Sequence, residues 1–173
     1  VLCEDPYMRK TLLKQRLANI ILSKLLTDDN TDIVVESCGL LRNLCLEEGY
    51  DLSTYLWRSD IWASVNQGFD RLLKSLDALQ KKEEQISDAV NRASTESKRL
   101  LFDYADNLIS LVVALANGSD EILKQILNVD KINRVFDVIT ELLKYGLSKL
   151  PLAVVNTILD LLYDFSSESF AFI

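Results

Sequence analysis

The stretch that decides the fold is GLLRNLCLEEGYDLSTYLWRSDI, Gly39 to Ile61, because it returns without a gap as SLVVALANGSDEILKQILNVDKI, Ser110 to Ile132. Anchoring Leu44 on Leu115 sets the offset at 115 − 44 = 71 residues, and Leu40/Leu111, Leu52/Leu123, Leu56/Leu127 and Ile61/Ile132 then coincide. Cys45/Ala116 and Tyr55/Ile126 agree in kind. Shared apolar positions with unrelated polar ones are the mark of a repeat array, in which each unit buries the same face against its neighbour while its outer face drifts. Function is then to be sought on the surface of the array.

Working outward, the residues from Leu17 to Leu26 are apolar at helical spacing, and TDDNTD supplies a turn whose Thr31 or Asp32 is a candidate cap for the next helix. Ile33, Val34, Ser37, Leu40, Leu41, Leu44 and Cys45 follow near one face. Gly39 reads as a bend between a short helix and a long one, and Gly49 as a C-terminal cap. IWASVNQGFDRLLKSLDAL opens the next unit behind Ser59 or Asp60, and KRLLFDYADNLISLVVALANG reads as its second and third helices, with Asn117-Gly118 as the stop. KINRVFDVITELLKYG opens a third unit, Pro151 suits the first turn of PLAVVNTILDLLYDF, and SSESFAFI reads as a turn. A short helix followed by two longer ones, at about 40 to 47 residues per repeat, is the armadillo layout. The expected fold is all-α, a right-handed armadillo-like solenoid of about three repeats over residues 1–173, partial at both ends and belonging to a longer array. Between Gln80 and Ser97 the chain turns polar with nearly balanced charge, an expected insertion that stretches the period.

Composition narrows the function. Apolar residues make up 49% and charged residues 26%, with only 5 Gly and 2 Pro, as in an ordered helical protein. The longest uncharged apolar run, Leu108 to Asn117, is half of the ~20 residues a membrane-spanning helix needs, so no membrane role is expected. Cys3, Cys38 and Cys45 form no CxxC pair, and the spacing of Cys38 and Cys45 sets them on one helix face among leucines, as core thiols. Histidine is absent, which removes Ser-His-Asp and Cys-His catalysis and His-ligated zinc. No catalytic residue, metal or cofactor is expected, and the chain reads as a non-enzyme. Its net charge of −7 opposes direct nucleic-acid binding and favours basic partners.

In an armadillo array the third helix of each repeat lines a groove for extended ligands. Asn43 stands where such a groove carries an asparagine, with Ala114 and Asp164 as its equivalents. One turn earlier stand Gly39, Ser110 and Asp160, where a stacking tryptophan is absent. Asn43 either holds a ligand backbone or serves hydrogen bonds within the array. Glu36, Asp106, Asp160 and Asp164 are candidate partners for Lys or Arg of a ligand. Trp57 and Trp62 fall between repeats and are expected to pack there.

VVESCGLLRNLCLEEGYDLSTYLWRSDIW, ESKRLLFDYADNLISLVVALANGSDEIL and LDLLYDFSSESFAFI together resemble the armadillo part of the symportin family. The resemblance implies a transport adaptor and chaperone for the two large-subunit ribosomal proteins that bind 5S rRNA. It also implies co-import by a receptor that engages regions outside this stretch, and a place in both cytoplasm and nucleus. The family's N-terminal import signal, its C-terminal HEAT repeats and its long acidic loop are not found here. What the resemblance leaves for these residues is groove binding of one basic ribosomal-protein segment. The competing readings are a structural spacer within a larger scaffold and a generic armadillo interaction module.

Overall fold

The structure is a computed structural model that describes residues 5–14, 16–85 and 91–169. The described residues form helices in the order α1 (Pro6–Lys14), α2 (Leu17–Ile20) running on into a π-helical segment (Ile21–Leu25), α3 (Thr31–Glu48), α4 (Tyr50–Arg58) and α5 (Ile61–Gln85). These are followed by α6 (Asn91–Asn117), α7 (Asp120–Ile126), α8 (Val129–Gly146) and α9 (Leu152–Ser169). Among them there is no strand. Helices α4, α5 and α6 make one short-long-long unit, α7, α8 and α9 the next, and α3 closes a unit whose earlier part is α2 and its π-helical extension. This is an all-α armadillo-type solenoid.

The units stack so that like helices lie side by side. α6 packs against α3 on one flank and α9 on the other, α5 packs against α8, and α5 backs α6. Buried positions of α3 recur in α6 at the 71-residue offset: Val34/Ala105, Cys38/Ile109, Leu41/Val112, Leu44/Leu115 and Cys45/Ala116. Beyond the α6 terminus the repeat slips by one. Leu52 is matched by Ile122 (122 − 52 = 70) and Leu56 by Ile126, both fully covered, whereas Tyr55 is 40% exposed and so is no counterpart of Ile126. Val65/Val135, Phe69/Ile139 and Leu72/Leu142 keep the shorter offset through α5 and α8. The slip arises because α6 stops at Asn117, two residues short of the equivalent of the α3 end at Glu48 (48 + 71 = 119), while the corner that follows is only one residue longer than the one at Gly49.

Several boundaries differ from expectation. α3 runs unbroken through Gly39, since its apolar stripe holds one face throughout and continuous burial outweighs the propensity cost of about 1 kcal/mol for one glycine. Its cap is Asn30, whose side chain accepts from the Asp32 amide at 2.9 Å, rather than Thr31 or Asp32. The run read as two helices after Lys98 is the single helix α6. Pro151 precedes α9, and its carbonyl accepts from the Val155 amide at 3.2 Å. Ser166 to Ser169, expected as a turn, complete the last turn of α9. Residues 80–85 belong to α5 and 91–97 to α6, while 86–90 lie outside the described residues, as does Cys3. By length and composition, Thr95–Asn117 could cross a bilayer. Its position explains that hydropathy, because α6 is flanked by α3, α9 and α5, and apolar residues on it face protein on three sides.

Cys38 and Cys45 are buried, as their spacing predicts. Burial pushes the Cys38 thiol up to about 12 and the Cys45 thiol up to about 11. Trp57 donates its indole N–H to Gln125 Oε1 at 2.7 Å, joining α4 to α7, and stacks at a tilt on Trp62 with centroids 5.9 Å apart. Trp57 therefore serves the joint between units, and Trp62 packs on Trp57 and Phe69 within its own unit. Arg134 of α8 donates to Asn66 Oδ1 at 3.0 Å and to Asp70, tying α8 to α5.

Candidate ligand-binding face

The layer α3–α6–α9 carries an open face along one stripe of each helix. The stripe arises because the buried positions of α3 follow i, i+3, i+4, i+7 and leave Asp32, Glu36, Gly39 and Asn43 on the opposite side. The 71-residue offset places Asp103, Asn107, Ser110 and Ala114 at the same register of α6. In α9 the buried Val154, Ile158, Leu161 and Phe165 recur from Val34, Cys38, Leu41 and Cys45 at an offset of 120 residues (154 − 34 = 120). This brings Asn156, Leu159 and Tyr163 to that register and leaves Thr157, Asp160 and Asp164 one position beyond it, with Thr157 and Asp164 bonded to α6.

Of the residues expected to contact a ligand, Glu36, Asn43 and Asp160 are exposed, and Asp106, Ser110 and Asp164 are half-buried. Ala114 is only 3% exposed, so α6 presents no polar side chain opposite Asn43. Asp106 accepts a hydrogen bond from the Thr157 hydroxyl, bridging α6 to α9. Asp164 accepts from Asn117 Nδ2 at 3.0 Å, a second bridge between the same helices. Both donors are neutral, so they orient the carboxylates without cancelling their charge. By contrast, Asp103 shares Arg99 with Glu96, and the Arg99 guanidinium beside Glu96 holds that carboxyl below its usual range.

The centre of the face contains residues that the sequence reading did not single out. Arg42 Nε donates to Asn43 Oδ1 at 3.1 Å, and Arg42 Nη1 donates to Asn107 Oδ1 at 3.3 Å. Asn107 reaches α3 because Gly39 makes room: a Cβ at Gly39 would lie 3.1 Å from Asn107 Oδ1. Asn43 thus serves a hydrogen bond within the array, to its neighbour on the chain. A signal for Asn107 was present in the repeat, since it stands 107 − 36 = 71 residues after Glu36. Nothing in the sequence showed that Arg42 would turn toward α6.

A separate cleft of about 420 Å³ is lined by Arg16, Ala18, Asn19, Glu48, Asp51, Leu52 and Tyr55 and shares no residue with this face. No cluster of three or more Cys, Asp or Glu side chains suited to a metal ion occurs among the described residues.

No protein-family model matches the chain. Among curated proteins, it is 63% identical to Synchronized import protein 1 of Saccharomyces cerevisiae over 174 aligned residues, which is the whole of this chain and 28% of that protein. It is 28% identical to the Schizosaccharomyces pombe armadillo repeat protein involved in nucleocytoplasmic transport Syo2, over 67% of this chain and 17% of that protein. It is also 28% identical to Symportin 1 of Chaetomium thermophilum, over 69% of this chain and 17% of that protein. The chain thus spans less than a third of the length of each relative. An identity of 63% over the whole length of the chain, on the repeat architecture that the second relative's name states, places this chain in the symportin family of armadillo-repeat proteins.

Proposed function

We propose that the chain is a non-enzymatic binding module of a nucleocytoplasmic transport adaptor, and that the open face of α3–α6–α9 holds an extended, predominantly basic segment of a cargo protein. The observation that carries this reading is the pair Asp106 and Asp164. Each is held in place across α6 and α9 by a neutral donor, which orients the carboxylate without bringing a counter-charge to it. Asp160 and Glu36 add charge on the same face, and the chain's net −7 supplies long-range attraction. The relatives' names, one for synchronized import and one for nucleocytoplasmic transport, support import as the process. The cargo we assign is a basic segment of a 5S-rRNA-binding ribosomal protein of the large subunit, shielded until 5S particle assembly. The adaptor moves between cytoplasm and nucleus with a receptor that engages it elsewhere.

Titration of a fluorescent basic ribosomal-protein tail against the 173-residue chain tests the proposal. Affinity falls steeply as salt rises, because exposed ion pairs are screened beyond about 8 Å at physiological ionic strength. Asp160→Asn combined with Asp164→Asn weakens binding by about tenfold, within the range for charge-assisted hydrogen bonds. Binding that is indifferent to salt and to both substitutions overturns the assignment of the face. No binding at low salt would make this segment a spacer.

A further inference from the structure

Arg42 is a cation set into the face that the proposal above gives to a basic ligand. It is half-buried, and among the described residues no carboxylate pairs with it. Arg9, Arg99 and Arg134, by contrast, each meet at least one carboxylate. What holds Arg42 is a pair of amide oxygens, Asn43 Oδ1 at 3.1 Å and Asn107 Oδ1 at 3.3 Å. Neutral acceptors fix the plane of the guanidinium and leave its charge intact. They occupy two of its five N–H donors, so a planar, bidentate acceptor has an edge to meet. The neighbouring positions of the face are small: Gly39 lets Asn107 cross to α3, and Ser110 and Ala114 follow Asn107 along α6.

We infer that Arg42, positioned by Asn43 and Asn107, binds a carboxylate of the ligand, so that the segment this face selects is of mixed charge: an Asp or Glu followed at set distances by Lys or Arg. The spacing follows from the layer. Packed helices lie about 8–10 Å apart and an extended chain advances about 3.3 Å per residue, so one helix step is about three ligand residues. Asp106 lies seven residues down α6 from the level of Arg42 (42 + 71 = 113, and 113 − 106 = 7) and so off this path, whereas a basic residue about six positions from the acid, two helix steps on, meets Asp160 or Asp164 on α9. A uniformly basic segment instead sets a cation against Arg42, where like charges repel. Arg42 thus makes the groove selective as well as attractive. This inference rests on the reading of the face under Proposed function and adds a specificity residue to it.

The test uses three labelled Gly/Ser peptides that share two lysines, placed six and seven residues after a variable position occupied by Asp, Ser or Lys. Anisotropy titrations at low salt against the 173-residue chain are expected to rank Asp over Ser over Lys, with about tenfold between the first two. The ranking runs against net charge. Arg42→Glu inverts the order, Arg42→Lys keeps the order with a smaller span because the fork is lost, and Asn107→Ala narrows the preference for Asp. Circular dichroism confirms that each variant is folded. If wild type binds the Lys peptide best, or if Arg42→Glu strengthens all three equally, net charge alone governs the face and the inference falls while the basic-ligand reading stands. If none of the peptides nor a lysine-only peptide binds, both fall.

Discussion

Gly118 is constrained by space rather than by backbone conformation. Its φ is not positive, unlike that of Gly49 at +58°, and a Cβ at Gly118 would lie 2.2 Å from Ser53 Oγ and 2.5 Å from Ser53 Cβ. Ser53 is fully buried, so α4 meets the end of α6 with no slack. Gly118→Ala is therefore expected to destabilise the fold by about 1–3 kcal/mol, the usual cost of overpacking, read as a lowered urea midpoint. Adding Ser53→Gly removes both clashing atoms and restores part of the loss. If Gly118→Ala leaves the midpoint unchanged, the joint is looser than described. The sequence reading named Gly118 as a helix stop, which is right in position but not in cause, because the partner is 65 residues away in the chain (118 − 53 = 65). At Gly49 the local reading suffices: its amide donates to the Cys45 carbonyl at 2.8 Å and its φ suits glycine.

The long helices α5 and α6 show how an element depends on tertiary partners. The end of α5 reaches past the ordinary length of such a helix, and Glu83 secures it. The Glu83 carboxylate pairs with Lys98 of α6, accepts from the Tyr145 hydroxyl of α8 at 2.7 Å, and lies 3.4 Å from Lys149 Nζ. The hydrogen bond from Lys98 above all holds the Glu83 carboxyl below its usual value. A depressed carboxylate stabilises the fold above its unfolded value of 4.5 and loses that contribution as pH falls through the lower folded value. Glu83→Gln should then cost about 1 kcal/mol at neutral pH, as befits a partly exposed network, with the gap to wild type closing in acid. Thermal melts at pH 7 and below 4 measure it, and a gap independent of pH contradicts the role of the charge. From sequence, the polar composition between Gln80 and Ser97 suggested an insertion. Which of these residues continue a helix depends on contacts with α8, and those are invisible to local pattern.

At the scale of the whole molecule, buried acids of high folded pKa gather in the core. Burial raises Cys38 to about 12 and Cys45 to about 11 from an ordinary 9.0, and it also raises the Tyr104 and Tyr145 hydroxyls. Groups whose folded values exceed their unfolded ones stabilise the fold fully below the unfolded value, and that stability is lost as pH rises toward the folded one. Urea midpoints should thus hold from neutral pH to about 9 and drop progressively above it, with Cys38→Ala and Cys45→Ala together flattening the onset. Both thiols should also resist maleimide in the folded protein and react once urea is added. A midpoint constant through strongly alkaline pH would mean that these side chains are wetter than their burial implies.

The fold was legible because a solenoid repeats one burial pattern. The Gly39–Ile61 echo identifies the units, the leucine stripes and the all-helical class from chemistry local to each helix. The family strings named the relatives for the same reason, since they record that pattern together with its particular side chains. The same echo missed the one-residue slip after α6, because apolar residues of one kind replace each other at adjacent positions of a short helix. The face was legible only in outline. Periodicity sets Glu36 and Asn43 on one side of α3 and Ser110 on the matching side of α6, whereas Asp106 and Asp164 lie where α6 meets α9. That Thr157 and Asn117 hold two of the carboxylates, and that Arg42 turns to Asn107 across a gap left by Gly39, was decided by the tertiary structure. Helical periodicity fixes which way a side chain leaves its own helix, whereas its partner depends on the distance and stagger between helices, which the packing of the whole array sets.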